Sequence, residues 1–294
     1  MEFKYPLTTD LLALSPMWAH QLRGELLPCD LTISQLRLLS FLAMHHDDPR
    51  PSQLAQALQM KPNSVRFVVE RLVERGLIRR EDSSSRARSK SIRVLPRGID
   101  CLNNALEATE RVANRLMDPL GPFLCRNLYE MANDYLAILR KDALPRTTVH
   151  EHPLGIGILL SDTLFASTLF IRNLLRAYGL SLTEFRVLFE LNECPSGLHP
   201  SELAVRLLVP LPDLTVAIAH LSDQGFINVA RERLDKRAIL AELSSRSFAL
   251  ICQALPSIDR FYCEASSGFP PINRFFVLKT ASLMSEKQRR SFRY

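Results

Sequence analysis

The stretch RLVERGLIRREDSSSRARSKSIRV, residues 71–94, decides the fold. Its first part closes a helix. Val65, Val68, Val69 and Leu72 recur at helical spacing, which marks one apolar face. Pro62 suits the first turn of that helix. Gly76 ends it, because a left-handed C-cap favours glycine. The period then changes. LIRRE (77–81) and KSIRVL (90–95) read as short strands, joined by the polar hairpin tip DSSSRAR. Upstream, Leu36, Leu39 and Phe41 to Ala43 predict a helix over about 32–45. The loop HHDDPR follows, and Ser52 is expected to cap a short helix ending near Leu58. Two helices joined by a tight turn, then a β-hairpin, make a winged helix-turn-helix.

The pattern returns 149 residues later. LTISQLRLLSFL (31–42) aligns with LSLTEFRVLFEL (180–191), and RPSQLAQALQM (50–60) with HPSELAVRLLV (199–209). RLVERGLI (71–78) falls on HLSDQGFI (220–227), and Arg88 on Arg237. Register holds without a gap from Leu31 to Gly98, through Pro51/Pro200, Leu54/Leu203, Leu72/Leu221 and Gly76/Gly225. Unrelated helices would not keep that register, so the chain reads as a duplicated unit.

A length of 294 residues fits two domains. The expected division is 1–147 for the first unit with its flanking helices, and 148–294 for a second, degenerate one. Hydrophobic residues at 47 % and charged residues at 23 % predict a folded core. With only 10 glycines and long helical patterns, the fold class is mainly α with small β-hairpin wings. Glu2, Lys4, Pro6 and Asp10 interrupt any signal-peptide core. Six cysteines without CxxC spacing suit reduced thiols in the cytoplasm. The most apolar run, Leu154 to Ile171, contains Asp162 and is expected to be a buried helix rather than a membrane span.

Each unit resembles a MarR-type winged helix-turn-helix transcriptional regulator. The resemblance rests on QLAQAL (53–58), VERLVERGLIRR (69–80), RARSK (86–90) and VLPRG (94–98). In the second unit it rests on ELAVRL (202–207), IAHLSDQGFI (218–227) and DKRAILAEL (235–243). The order and doubling of these motifs give them their specificity. The resemblance implies double-stranded DNA as partner and dimerisation through terminal helices. Two units in one chain then imply an intramolecular pseudo-dimer in a monomeric chain, with a full-chain homodimer as the alternative. Segments 8–27, 98–140, 153–178 and 247–288 are apolar-periodic and suit that helical platform.

Charge locates the expected interface. Residues 61–97 hold eleven Lys/Arg against four Asp/Glu, a net +7, whereas 210–246 hold five of each and net zero. The whole chain nets +6. Phosphate contacts supply much of DNA affinity, and base-edge contacts supply specificity. On the first recognition helix, Asn63, Arg66, Phe67 and Arg71 face away from the apolar stripe. Arg suits guanine, Asn adenine, and Phe a thymine methyl. Lys61 and Ser64 sit near the helix start, where phosphates bind. In the wing, Arg86, Arg88 and Lys90 are spaced by two, so a strand puts them on one face. Such cations suit a narrow minor groove. Arg88 matches the wing arginine of the resembled family, and Arg86 replaces its aspartate. The second unit keeps Asp235, with Arg233, Lys236 and Arg237 as wing cations. Its recognition helix offers only Thr215 and His220 as polar readers, beside Pro210, Pro212 and Asp213.

The resemblance also implies a small-molecule effector, though no motif marks its site. Trp18, His20, Phe165, Phe170 and Tyr178 can line a pocket or simply pack the core. Cys29 has no basic cluster beside it in sequence and reads as an inert thiol rather than a redox switch. HHDD (45–48) has metal-ligand residue types but no second cluster, so no metal or cofactor is expected. No GxSxG, phosphate-binding glycine loop or HExxH is present, so an enzyme is not expected. Two other readings stand beside a regulator: a non-DNA-binding scaffold built on tandem winged helices, and a replication-initiator-like DNA-binding protein.

Overall fold

The computed structural model describes residues 6–44, 51–82, 90–117, 155–231 and 239–265. Its elements, in chain order, begin with α1 (Pro6–Leu26), α2 (Ile33–Met44), α3 (Pro51–Ala57) and α4 (Pro62–Glu74). The hairpin β1 (Ile78–Asp82) and β2 (Lys90–Val94) follows, then α5 (Pro96–Met117) and α6 (Ile156–Leu175). The second series is α7 (Leu182–Glu193), α8 (Pro200–Leu207), α9 (Leu211–Asp223), β3 (Ile227–Arg231), β4 (Ile239–Leu243) and α10 (Ser245–Ala265). The fold is mainly helical with two small antiparallel hairpins. α3 starts at Pro51, so Ser52 lies inside the first turn rather than capping it. Proline needs no N–H there, and α8 starts the same way at Pro200.

The chain forms two compact units, Trp18–Ala166 and Met1–Met17 with Ser167–Tyr294. α1 and α6 each contribute residues to both. The expected division at 147/148 lies outside the described residues.

In the unit of Trp18–Ala166, Leu36, Leu39, Leu54, Val65, Val69 and Leu72 are buried. These are the inward positions of α2, α3 and α4, packed together under the hairpin. β1 pairs with β2 from Ile78↔Val94 to Asp82↔Lys90. Leu77, Ile78 and Ile92 close the core from the wing. In the other unit, Phe185, Leu188, Leu203, Leu214, Ile218 and Leu221 take the same places. There β3 pairs with β4 from Ile227↔Leu243 to Arg231↔Ile239.

The sequence repeat persists in the hydrogen bonding. Thr32 and Gln35 cap α2 reciprocally: Thr32 N donates to Gln35 Oε1 at 2.8 Å, and Gln35 N to Thr32 Oγ1 at 3.2 Å. Ser181 and Glu184 do the same for α7, at 2.6 and 3.2 Å. Arg37 Nη2 donates to the Leu58 carbonyl at 3.1 Å, and Arg186 Nη2 to that of Leu207 at 2.7 Å. Each arginine thus satisfies a carbonyl at the C-terminal end of the following short helix. Gly76 and Gly225 follow the two recognition helices with φ of 64° and 70°. That left-handed conformation disfavours any side chain.

Gly98 has a different reason. A Cβ there would lie 2.1 Å from the Leu77 carbonyl oxygen. The equivalent Ser247 instead donates its hydroxyl to the Phe226 carbonyl. The two units hold their hairpins to the next helix by different means at one site.

By length and composition, Gly157–Tyr178 is apolar enough to cross a membrane, with mean hydropathy 1.4. Within it, however, Asp162 is buried against Arg37 of α2, Nε to Oδ1 at 2.8 Å. Ser161 accepts from the Trp18 indole at 2.9 Å. Those polar contacts are the marks of a helix built into a protein core.

Candidate nucleic-acid interface

α4 presents one apolar and one polar face. Val65, Val68, Val69 and Leu72 point into the core. Lys61, Asn63, Ser64, Arg66, Phe67 and Arg71 are all exposed. The Arg66 side chain is 78 % accessible, and Phe67 is 58 % accessible. An exposed phenylalanine on a charged helix face is unusual, and Arg71 lies 5.3 Å from its ring centroid. Lys61 is the N-cap and makes no side-chain cap hydrogen bond. Its carbonyl accepts from Ser64 N at 2.9 Å and Val65 N at 3.1 Å.

Two arginines of this face are already paired. Arg66 Nε donates to Glu70 Oε1 at 2.9 Å, and Arg71 Nη1 to Glu74 Oε2 at 3.0 Å. The hydrogen bond from Arg66 holds the Glu70 carboxyl below its ordinary range. Both pairs are exposed, and such pairs contribute little. A phosphate or base can therefore exchange with the glutamates at small cost.

Other cations of the +7 window are engaged within the fold. Arg75 caps α4 and donates from Nη2 to the Cys29 carbonyl at 3.2 Å and from Nη1 to that of Asp30. Arg79 pairs with Glu81 on its own strand, and Arg93 pairs with Glu81 across the hairpin at 3.0 Å. Sequence counting could not separate these inward or neutralised cations from the outward ones.

Of the first wing, Lys90 opens β2 opposite Asp82. Arg86 and Arg88 lie outside the described residues, as do Arg233, Lys236 and Arg237 of the second wing.

α9 has another character. Thr215 is exposed, but its hydroxyl donates to the Leu211 carbonyl of its own helix at 2.8 Å. Both ring nitrogens of His220 are occupied. Nδ1 pairs with Glu184 at 2.5 Å, and Nε2 with Gln224 at 2.9 Å. His220 thus ties α9 to the N-terminus of α7. The exposed face is apolar instead: Val216, at the position of Phe67, is 71 % accessible and Leu211 is 47 % accessible.

The aromatic residues considered for a pocket are divided between the two units. Trp18 and Phe165 belong to the first unit. Trp18 is buried, and Arg37 stacks on Phe165 at 3.8 Å. Phe170 and Tyr178 belong to the second, where the Tyr178 hydroxyl meets Ser257 at 3.0 Å. His20 is exposed. The HHDD loop lies outside the described residues.

Residues 30–89 and 178–238 each match the MarR family model. Among solved structures, the regulator BldR from Sulfolobus solfataricus is 19 % identical, with a TM-score of 0.38, over 42 % of this chain and 88 % of that one. A MarR regulator from Methanosarcina mazei is 19 % identical, with a TM-score of 0.39, over 42 % and 88 %. MarR from E. coli is 20 % identical, with a TM-score of 0.36, over 41 % and 87 %. A search of curated proteins finds no match.

Proposed function

Because the chain carries two MarR-family winged-helix units in tandem, we propose that it represses transcription by occupying an operator as an intramolecular pseudo-dimer. DNA binding and transcription regulation fit that family. The observation that carries this reading is the exposed face of α4. It brings Asn63, Arg66, Phe67 and Arg71 out beside Lys61 and Ser64, over a core fixed on its other side. The two halves, 1–147 and 148–294, serve as the two protomers of an ordinary dimer. Since operator symmetry mirrors protein symmetry, two unlike recognition helices call for an asymmetric site. The chain acts in the cytoplasm, and a small molecule sets its affinity.

The test is a duplex selected from a random pool. Arg66→Ala should relax the preference at one base pair, by about 1–3 kcal/mol if Arg66 reads a guanine. Wild-type affinity should fall steeply with salt, as counterion release requires. A salt-independent affinity, or an Arg66→Ala loss equal across all sequences, would refute these roles. Light scattering should give a monomer of 33.4 kDa. Twice that mass would replace the pseudo-dimer by a homodimer of full chains.

A second reading is favoured by α9. Its apolar face, with His220 and Thr215 already bonded, suits a structural half that leaves DNA to the first unit. It predicts protection of only one half-site on the selected duplex.

A further inference from the structure

α9 lacks the long charged side chains of α4, and lacks them in pairs. On α4, Arg66 pairs with Glu70 and Arg71 with Glu74. The residues 149 positions on are Thr215 with Ala219, and His220 with Asp223. α9 holds no lysine or arginine. Its two exposed donor side chains are engaged, Thr215 with the Leu211 carbonyl and His220 with Glu184 and Gln224. Guanine and adenine both present acceptors in the major groove and are read by donors. Among the described residues, α9 exposes no donor that is free for them.

The rest of the exposed face is apolar. Leu211, Pro212, Val216 and Ala219 are exposed, while Leu214, Ala217, Ile218 and Leu221 are buried on the other side. Exposed apolar residues scattered singly are ordinary, but these four share one helix face with Thr215. Val216 stands where Phe67 stands on α4. Both units therefore set an exposed apolar side chain at the same point of the recognition helix. The side chains around Val216 are short, so this helix can lie closer to a groove floor than one carrying arginines. The two exposed acids lie at the ends of α9. Asp213 is in the first turn, where the positive end of the helix favours a carboxylate, and Asp223 is the last residue. They turn phosphates away from the helix ends and leave its middle turns uncharged.

We propose that α9 reads thymine methyl groups: Leu211, Pro212, Thr215, Val216 and Ala219 pack against the 5-methyls of a thymine-rich half-site. This rests on the DNA-binding reading above and names the sequence class that its second half takes. The thymine methyl is the apolar group that a base edge offers in the major groove, and alanine and threonine methyls are among its partners. Such packing releases no counterions, so its contribution is insensitive to salt. The first unit then supplies polar, phosphate-anchored recognition, and the second apolar recognition of the same duplex.

The experiment replaces each thymine of the selected duplex, one at a time, with deoxyuridine, which lacks only the 5-methyl. Binding of the full chain is measured at low and at high salt. Several substitutions should weaken binding about fourfold each, the scale of one buried methyl-sized group. They should cluster in the half-site whose preference Arg66→Ala leaves unchanged, and their effect should be the same at both salts. Val216→Ala should abolish the loss at one of these thymines, whereas Arg66→Ala should abolish none. Val216 is exposed, so its replacement should leave the urea midpoint unchanged; the scan itself needs only the wild-type chain. Losses confined to the half-site that Arg66→Ala relaxes would overturn the role of α9 while leaving the DNA reading intact. A scan in which no thymine matters would do the same. Unaltered affinity of Val216→Asp for the duplex would also overturn it, and would leave a protein partner as the occupant of this face. A wild-type chain that binds no duplex would overturn both readings together.

Discussion

Asp162→Ala is expected to destabilise the unit containing α2 by about 3–5 kcal/mol, the range found when one partner of a buried ion pair is removed. The side chains of Arg37 and Asp162 are only 2 % and 8 % accessible. Arg37 Nε donates to the carboxylate at 2.8 Å, Nη2 to the Leu58 carbonyl at 3.1 Å, and the guanidinium stacks on Phe165. Nη1 is buried with no hydrogen-bond partner among the described residues. Removing Asp162 therefore leaves a buried cation with one hydrogen bond and a ring face. Asp162→Asn should cost less, because an acceptor remains. Replacing both partners, as Arg37→Met with Asp162→Leu, should recover most of the loss, since the buried charge is then gone. Urea denaturation of the three variants decides this. A single-variant loss under about 1 kcal/mol, the scale of exposed pairs, would mean the site is hydrated.

That pair also marks what the sequence could not reveal. Asp162 looked like a reason to keep an apolar helix out of a membrane, but its partner is 125 residues away. No local pattern connects the two. The same holds for Cys29, which seemed to lack a cation until the fold brought Arg75 and Cys101 to it. Arg75 itself was counted as interface charge, yet it turns back to the chain end of α1. His220 was read as an outward polar group because only its helix position was visible, not Glu184 on α7. The winged helix was legible for the opposite reason. Its signals are local and redundant: Pro62 at the helix start, Gly76 at its end, and an apolar stripe between them. The 149-residue register doubled every one of those signals. Helix and hairpin boundaries therefore agree with expectation to within a residue or two, while side-chain partners from distant segments do not.

Replacing Arg86, Arg88 and Lys90 together by alanine should reduce DNA affinity far more than the matched replacement of Arg233, Lys236 and Arg237. Affinity from phosphates depends on cations free to displace counterions. The first window nets +7 and the second zero. Some of that +7 is unavailable, because Arg75 is held by the turn after α1 and Arg79 and Arg93 share Glu81. The affinity expected of the first unit therefore rests more heavily on α4 and on the cations of residues 86–90. Arg66 and Arg71 must leave Glu70 and Glu74 before they meet DNA, whereas the serines around Arg86 and Arg88 offer no carboxylate. In the second unit Glu232 and Asp235 flank the wing cations, and Val216 occupies the place of Phe67 on the recognition helix. The first triple variant should lower the salt slope by about three units, one for each lost phosphate contact, and the second by less than about one. Circular dichroism establishes that both variants fold before their affinities are compared across a salt series. Equal losses would make the second unit a full DNA reader despite its neutral window. A larger loss from the second wing would invert the assignment, leaving the cations of the first unit to serve its own fold.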